Sequence, residues 1–179
     1  MIVIRNRPDQ KHIILTGFMG TGKTETGQIL AERLDRRFVD TDQLVESEAG
    51  LSIPLIFEKH GEEYFRDLES DVLKKLSGYE PGSLVVATGG GVVLRTENRS
   101  LLKKLGFVCL LWASAEEIYR RVAKTGNRPL LNETDPFRII IELLEAREAC
   151  YRDCDFEIDT TAKTPQQVAS TILSCLNSS

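Results

Sequence analysis

Positive charge, histidine and long apolar runs are all scarce in this chain. Over 179 residues, 23 Lys+Arg face 27 Asp+Glu, a formal net charge of −4. That balance disfavours a protein held to nucleic acid by phosphate neutralisation, unless its cations gather in one cleft. The longest apolar run, residues 107–113, has the length of a strand and falls far short of the roughly 18 residues of a transmembrane helix. No membrane partner is expected. The apolar start precedes Arg5 and Arg7, the reverse of the order in a secretory signal, so a cytoplasmic location is expected. With 4 cysteines and no such signal, reduced thiols are expected rather than a disulfide framework. Cys150 and Cys154 stand four apart, as two ligands on one helical face would. His12 and His60 are far from them in sequence, and packing or exposed thiols account for the pair better than a metal.

What remains is an ordinary globular composition, 41% hydrophobic and 28% charged, at a length suited to one domain with a sizeable core. Short β-rich runs at residues 12–16, 37–40, 84–88, 107–112 and 156–160 are mostly continuously apolar, as in strands buried on both faces. Helices are expected between them. The stretch 23–34 places Ile29, Leu30 and Leu34 on one face. The long insert 42–77 carries at least two helices, with breaks near residues 50–52 and 60–61. Ser114 with Glu117 forms a capping box before a helix at 115–124, Asp135-Pro136 caps 137–152, and Thr164, Pro165 and Gln167 open the last helix. Residues 2–4 are either a short extra strand or part of a frayed arm. Five strands joined by helical crossovers imply a three-layer α/β domain with a parallel sheet, whose ligands bind beyond the carboxyl ends of the strands.

The segments that follow the strands therefore carry the chemistry. After the first comes Gly17-Phe18-Met19-Gly20-Thr21-Gly22-Lys23-Thr24, a match to G-x-x-x-x-G-K-[ST] that leads straight into a helix. Its glycines let the backbone curl around an anion, and the helix N-terminus adds its dipole. Lys23 is placed to reach β and γ phosphates and the Thr24 hydroxyl to bind Mg²⁺. After the second strand, Asp40 and Asp42 point to opposite sides. One can orient Mg²⁺ and the other accept a substrate proton, or either can simply cap the next helix. After the third strand, Gly89, Gly90 and Gly91 either admit a ligand close to the backbone or make a structural turn. The polar stretch at about 124–135 has the composition of a mobile lid, with Arg128 placed to fold over a transferring phosphate.

The chain has no Asn-Lys pair, and no Asp has Gly three residues after it, so the base reader and switch of a GTPase are missing. The two most apolar runs end in Thr88-Gly89 and Ala113-Ser114, not in the Asp-Glu expected of a motor or transport ATPase. A small-molecule kinase remains. Within that class a gluconate-kinase-like or nucleotide-kinase-like acceptor is an alternative, as is a binding module that keeps the nucleotide site without transfer. Retention of Lys23, Asp42 and Arg128 together speaks against the last.

The ordered set of the phosphate loop, Val39-Asp40-Thr41-Asp42, Phe65-Arg66-Asp67-Leu68-Glu69, Gly89-Gly90-Gly91, Arg128-Pro129-Leu130-Leu131 and Arg147 with Tyr151 resembles shikimate kinase over nearly the whole chain, from about His12 to Leu176. The resemblance implies a P-loop nucleoside-monophosphate-kinase-like fold with sheet order 2-3-1-4-5. It also implies transfer of the ATP γ-phosphoryl group to the 3-hydroxyl of shikimate. One kinase domain over 1–179 is expected, with a core at about 11–176, a substrate insert at 42–77 and a lid at 124–135. By the same resemblance Asp42 contacts the reacting hydroxyl, Arg66 and Arg147 clamp the shikimate carboxylate, and Glu69 steadies the guanidinium groups. Gly90, with Gly89 and Gly91, offers backbone to a substrate hydroxyl. Gly20, Thr21, Gly22, Lys23, Thr24 and Glu25 contact the nucleotide, Asp40 lies on the Mg²⁺ side, Arg128 caps the phosphates, and Arg121 and Pro165 sandwich adenine. The expected partners are ATP and shikimate alone, bound by a monomer. Family members commonly carry Pro two residues after the clamp arginine, followed by an apolar residue. Here Ala149 and Cys150 stand there, and alanine lets a helix continue.

Overall fold

A computed structural model describes residues 11–125 and 135–178. The segment at 2–4 and Arg128 with the rest of Arg-Pro-Leu-Leu lie outside the described residues. In chain order the elements are β1 (His12–Thr16), α1 (Lys23–Leu34), β2 (Arg37–Asp40), α2 (Thr41–Ala49), α3 (Ile53–Leu76), β3 (Leu84–Ala87), a 3-10 turn (Val92–Leu94), α4 (Thr96–Leu105), β4 (Gly106–Trp112), α5 (Ala115–Thr125), α6 (Pro136–Tyr151), β5 (Phe156–Asp159) and α7 (Pro165–Ser178). The strands form one 5-stranded sheet in the order β2-β3-β1-β4-β5, parallel throughout. This is the order that the resemblance implied.

The period of two along each strand divides the apolar residues between two cores. Ile14, Val86, Val108 and Leu110 face Leu73 and Leu76 of α3, Leu102 of α4, Ile118 and Val122 of α5, and Leu144 of α6. Ile13, Leu15, Val85, Cys109 and Leu111 face Leu30 of α1 and Val168, Ala169 and Ile172 of α7. Each such large side chain contributes about 1.5–3 kcal/mol through burial, which explains why the central strands read as unbroken hydrophobic runs. A smaller third cluster, Val45, Ile56, Phe65 and Val72, joins α2 to α3. The segment from α2 to α3 thus has a core of its own.

Boundaries differ from expectation by a residue, as helix and strand ends commonly do. β3 ends at Ala87, yet the Thr88 amide still donates to Leu15 O at 3.0 Å; β5 ends at Asp159, yet Thr160 N donates to Trp112 O at 2.7 Å. The expected break near 60–61 is present: within Ile53–Leu76 two helical stretches meet at a kink at Gly61, whose φ of 82° and ψ of 176° are non-helical. The Thr164–Gln167 box closes in both directions, at 2.8 and 3.3 Å. Half of the Ser114 box forms, with Glu117 N donating to Ser114 Oγ at 3.3 Å. The other half is replaced, because Ser114 N donates to Thr161 Oγ1 and the Glu117 carboxylate is taken by Arg120 and Arg121.

Candidate active site

The phosphate loop leaves β1 and enters α1 through Gly22, whose left-handed φ of 87° a side chain rarely adopts. Lys23 Nζ reaches back across the loop, donating to Gly17 O and Phe18 O at 2.8 Å each. That places its charge inside the curl where an anion would lie. Thr24 Oγ1 donates to Asp40 Oδ2 at 3.1 Å, while Asp40 Oδ1 accepts from Asp42 N at 3.0 Å. Capping and site roles are therefore compatible at Asp40: one oxygen caps α2 and the other faces the phosphate loop. A hydroxyl and a carboxylate side by side are hard oxygen donors of the kind Mg²⁺ takes. Among the described residues no group of three or more His, Cys, Asp or Glu could hold a metal.

A cavity of about 720 Å³ runs from Arg121 and Pro165 past Gly20, Thr21, Gly22, Lys23, Thr24 and Glu25 to Asp40, Asp42 and Gly90. At its far end Arg121 is tied down by hydrogen bonds. Its Nε donates to Glu117 Oε1 at 2.6 Å, Nη1 to Gly20 O at 3.1 Å and Nη2 to Thr160 O at 2.7 Å. Hydrogen bonds from Arg120 and then Arg121 pull the Glu117 carboxyl down to about 2, so it stays charged near neutral pH.

At the near end the candidate acceptor site is assembled from distant segments. Thr41 Oγ1 accepts from Gly89 N at 3.0 Å, joining the end of β2 to the glycine segment. A Cβ added to Gly89 would lie 2.4 Å from Asp42 Oδ1 and 2.9 Å from Glu69 Oε1, so the glycine leaves room for two carboxylates to converge. Glu69 Oε1 is buried without a hydrogen-bond partner among the described residues, an acceptor facing the space beside Asp42. Arg66 Nη1 donates to Glu69 Oε2 at 2.6 Å. Burial raises the Glu69 carboxyl above the usual range, Arg66 opposes the rise, and the charge on Asp42 adds to it. Burial likewise works against the charge on Arg66, but Glu69 and then Glu62 outweigh it and raise the guanidinium. Gly91 lies against that guanidinium: a Cβ there would fall 2.1 Å from Nη1 and 2.6 Å from Cζ.

Arg147 lies over the Phe18 ring at 5.8 Å. Because α6 continues through Ala149, Arg147 and Tyr151 are one helical turn apart on the same face. Tyr151 is 1% exposed and donates from Oη to Gly90 O at 2.5 Å. Burial pushes its phenol up to about 12, while Arg147 and then Arg66 pull the other way. Both arginine charges thus act on the same hydroxyl.

A family model for shikimate kinase matches residues 19–177.

The chain belongs to the shikimate kinase family.

Among similar proteins, shikimate kinase of Caldanaerobacter subterraneus subsp. tengcongensis is 51% identical over 163 residues, which cover 91% of this chain and 94% of that one. Shikimate kinase of Caldicellulosiruptor bescii is 46% identical over 164 residues, covering 92% and 94%. The solved shikimate kinase of Acinetobacter baumannii in complex with shikimate superposes with a TM-score of 0.89 at 38% identity, covering 96% of this chain and 95% of that one.

In this shikimate kinase family member, residues 20–25, Asp40, Asp42, Gly90, Arg121 and Pro165, all named from the sequence, line the cavity beyond the carboxyl ends of the strands. Arg66 and Arg147 stand beyond the cavity lining, and Arg128 lies outside the described residues. Sequence reasoning assigned no role to the supporting groups: Thr41 on Gly89, Tyr151 on Gly90, Asn98 Nδ2 on Val92 O at 3.1 Å and Arg99 Nη1 on Val93 O at 2.6 Å. For Glu117 the available signal was its position four residues before Arg121; for Tyr151 it was the same spacing after Arg147. Cys150 and Cys154 pack against the core cluster beneath β4.

Proposed function

We infer that this protein is an ATP-dependent shikimate kinase that transfers the γ-phosphoryl group to the 3-hydroxyl of shikimate, giving shikimate 3-phosphate and ADP. The observation that carries the reading is a single cavity joining the phosphate loop to Asp42 and Gly90, with Arg66 packed against Gly91, and with Tyr151, one turn from Arg147, bonded to Gly90. Arg66 and Arg147 take the carboxylate of shikimate in charge-assisted forks, Glu69 braces Arg66, and the backbone of Gly89, Gly90 and Gly91 meets a ring hydroxyl. Asp42 orients the reacting hydroxyl and receives its proton. Gly20, Thr21, Gly22, Lys23, Thr24 and Glu25 seat the phosphates, and Arg121 and Pro165 hold adenine between a guanidinium plane and a ring. Thr24 and Asp40 would hold Mg²⁺, which would neutralise charge on the phosphate oxygens. Arg128 closes over the transferring group from the lid at 124–135, while the insert at 42–77 carries the acceptor, all within one kinase domain spanning 1–179. A loose phosphoryl transition state needs little covalent help, so catalysis rests on in-line positioning and on donors fixed before reaction. The enzyme works in the cytoplasm as a monomer on dissolved substrates, without a nucleic-acid or membrane partner. A coupled ADP-release assay offering shikimate, gluconate and nucleoside monophosphates in turn tests the assignment. ADP release that depends on shikimate alone is expected; none above background with shikimate would refute it.

A further inference from the structure

Two acids hold Arg66, and their surroundings are opposite. Glu69 is 1% exposed and binds Nη1 at 2.6 Å, whereas the Glu62 side chain is 62% exposed. Glu62 Oε1 accepts from both Nε, at 3.3 Å, and Nη2, at 2.9 Å. Those two atoms form one edge of the guanidinium, the fork that a planar carboxylate takes in two parallel bonds. A single oxygen straddling the fork at long and ordinary distances makes a poorer match than a bidentate carboxylate. The buried Glu69 contact is a lasting brace, while an exposed ion pair is weak, screened by salt and readily exchanged. Glu62 reaches this edge by lying one helical turn before Arg66, and Gly61 interrupts α3 just before it, at φ 82° with no atom within 4 Å of an added Cβ.

We propose that Glu62 is a displaceable stand-in for the acceptor's carboxylate: it occupies the Nε–Nη2 edge of Arg66 and sets acceptor affinity by competing for it. The proposal rests on the reading of Arg66 as a clamp for the shikimate carboxylate. A plain alternative is that Glu62, opening the second stretch of α3, only complements the helix dipole.

Steady-state kinetics of the full chain with Glu62→Gln, Arg66→Lys and the double variant separate these. Removing the competing charge is expected to lower KM for shikimate about two- to fivefold, the range open to an exposed pair, with KM for ATP unchanged. That gain is expected to vanish in the Arg66→Lys background, because the two residues act on one contact. If Glu62→Gln leaves KM for shikimate unchanged or raises it, while Arg66→Lys weakens shikimate, Glu62 is not a competitor and the clamp survives. A lower thermal midpoint for Glu62→Gln without a gain in affinity assigns it to the helix end instead and overturns the proposal. If Arg66→Lys leaves KM for shikimate unchanged, the clamp fails and the proposal with it.

Discussion

The proposed donor and acceptor ends of the cleft are built by different means. At the donor end the phosphate loop is one continuous segment, residues 17–24, and backbone conformation does most of the work: Gly17, Gly20 and Gly22 all hold positive φ. At the acceptor end Asp42, Arg66 with Glu69, the glycines after β3, and Arg147 with Tyr151 come from four separate segments, each held by a neighbour. A site made from backbone tolerates little change in its own loop but depends weakly on distant residues. A site made from braced side chains depends on every brace.

Lys23→Met attacks the donor end where one side chain acts with the backbone. Turnover is expected to fall about 10²–10³-fold, the usual loss for one preorganised electrostatic group, while shikimate binding measured by calorimetry stays near that of the parent. Comparable losses of both would show the two ends to be one unit. Gly91→Ala attacks the acceptor end through packing. Its Cβ would sit 2.1 Å from Arg66 Nη1, so the guanidinium must move; KM for shikimate is expected to rise about tenfold, the cost of about one charge-assisted hydrogen bond, with KM for ATP unchanged. Tyr151→Phe keeps the buried ring but leaves Gly90 O without its donor. A loss of about 1 kcal/mol in urea unfolding is expected, together with a rise of a few fold in KM for shikimate only.

The smallest effect concerns pH. Because Glu69 has a folded pKa raised by burial, its contribution to stability is fully present below its unfolded value and is lost as pH rises through the folded value. The thermal midpoint of Glu69→Gln relative to the parent is therefore expected to improve from about pH 4 upward. A difference that does not vary with pH would mean that Arg66 fully compensates the burial of Glu69.

The two ends also differed in how readily they could be read from residues. A phosphate loop is recognisable because its glycines, lysine and threonine are adjacent and must be, since successive N–H groups surround one anion. The alternation of buried strands and capped helices placed the sheet to within a residue at most ends. By contrast, Arg66 in isolation is a charge on an amphipathic helix, and nothing in residues 62–69 distinguishes the buried Glu69 from the exposed Glu62. Tyr151 reads as a core aromatic until its hydroxyl is seen against Gly90. The interruption of α3 was legible at Gly61, but the geometry by which α3 continues past it was not.

Local chemistry thus settled the fold class and the residues of the phosphate loop, because each depends on neighbours in the chain or on a repeating burial pattern; the strand order came from the family resemblance. Only packing decided which carboxylate on Arg66 is permanent, why Gly89 and Gly91 must lack side chains, and how Arg147 is steadied without a proline. Those properties depend on solvent exposure and on atoms brought within about 3 Å from distant segments, the distance at which hydrogen bonds and steric exclusion act.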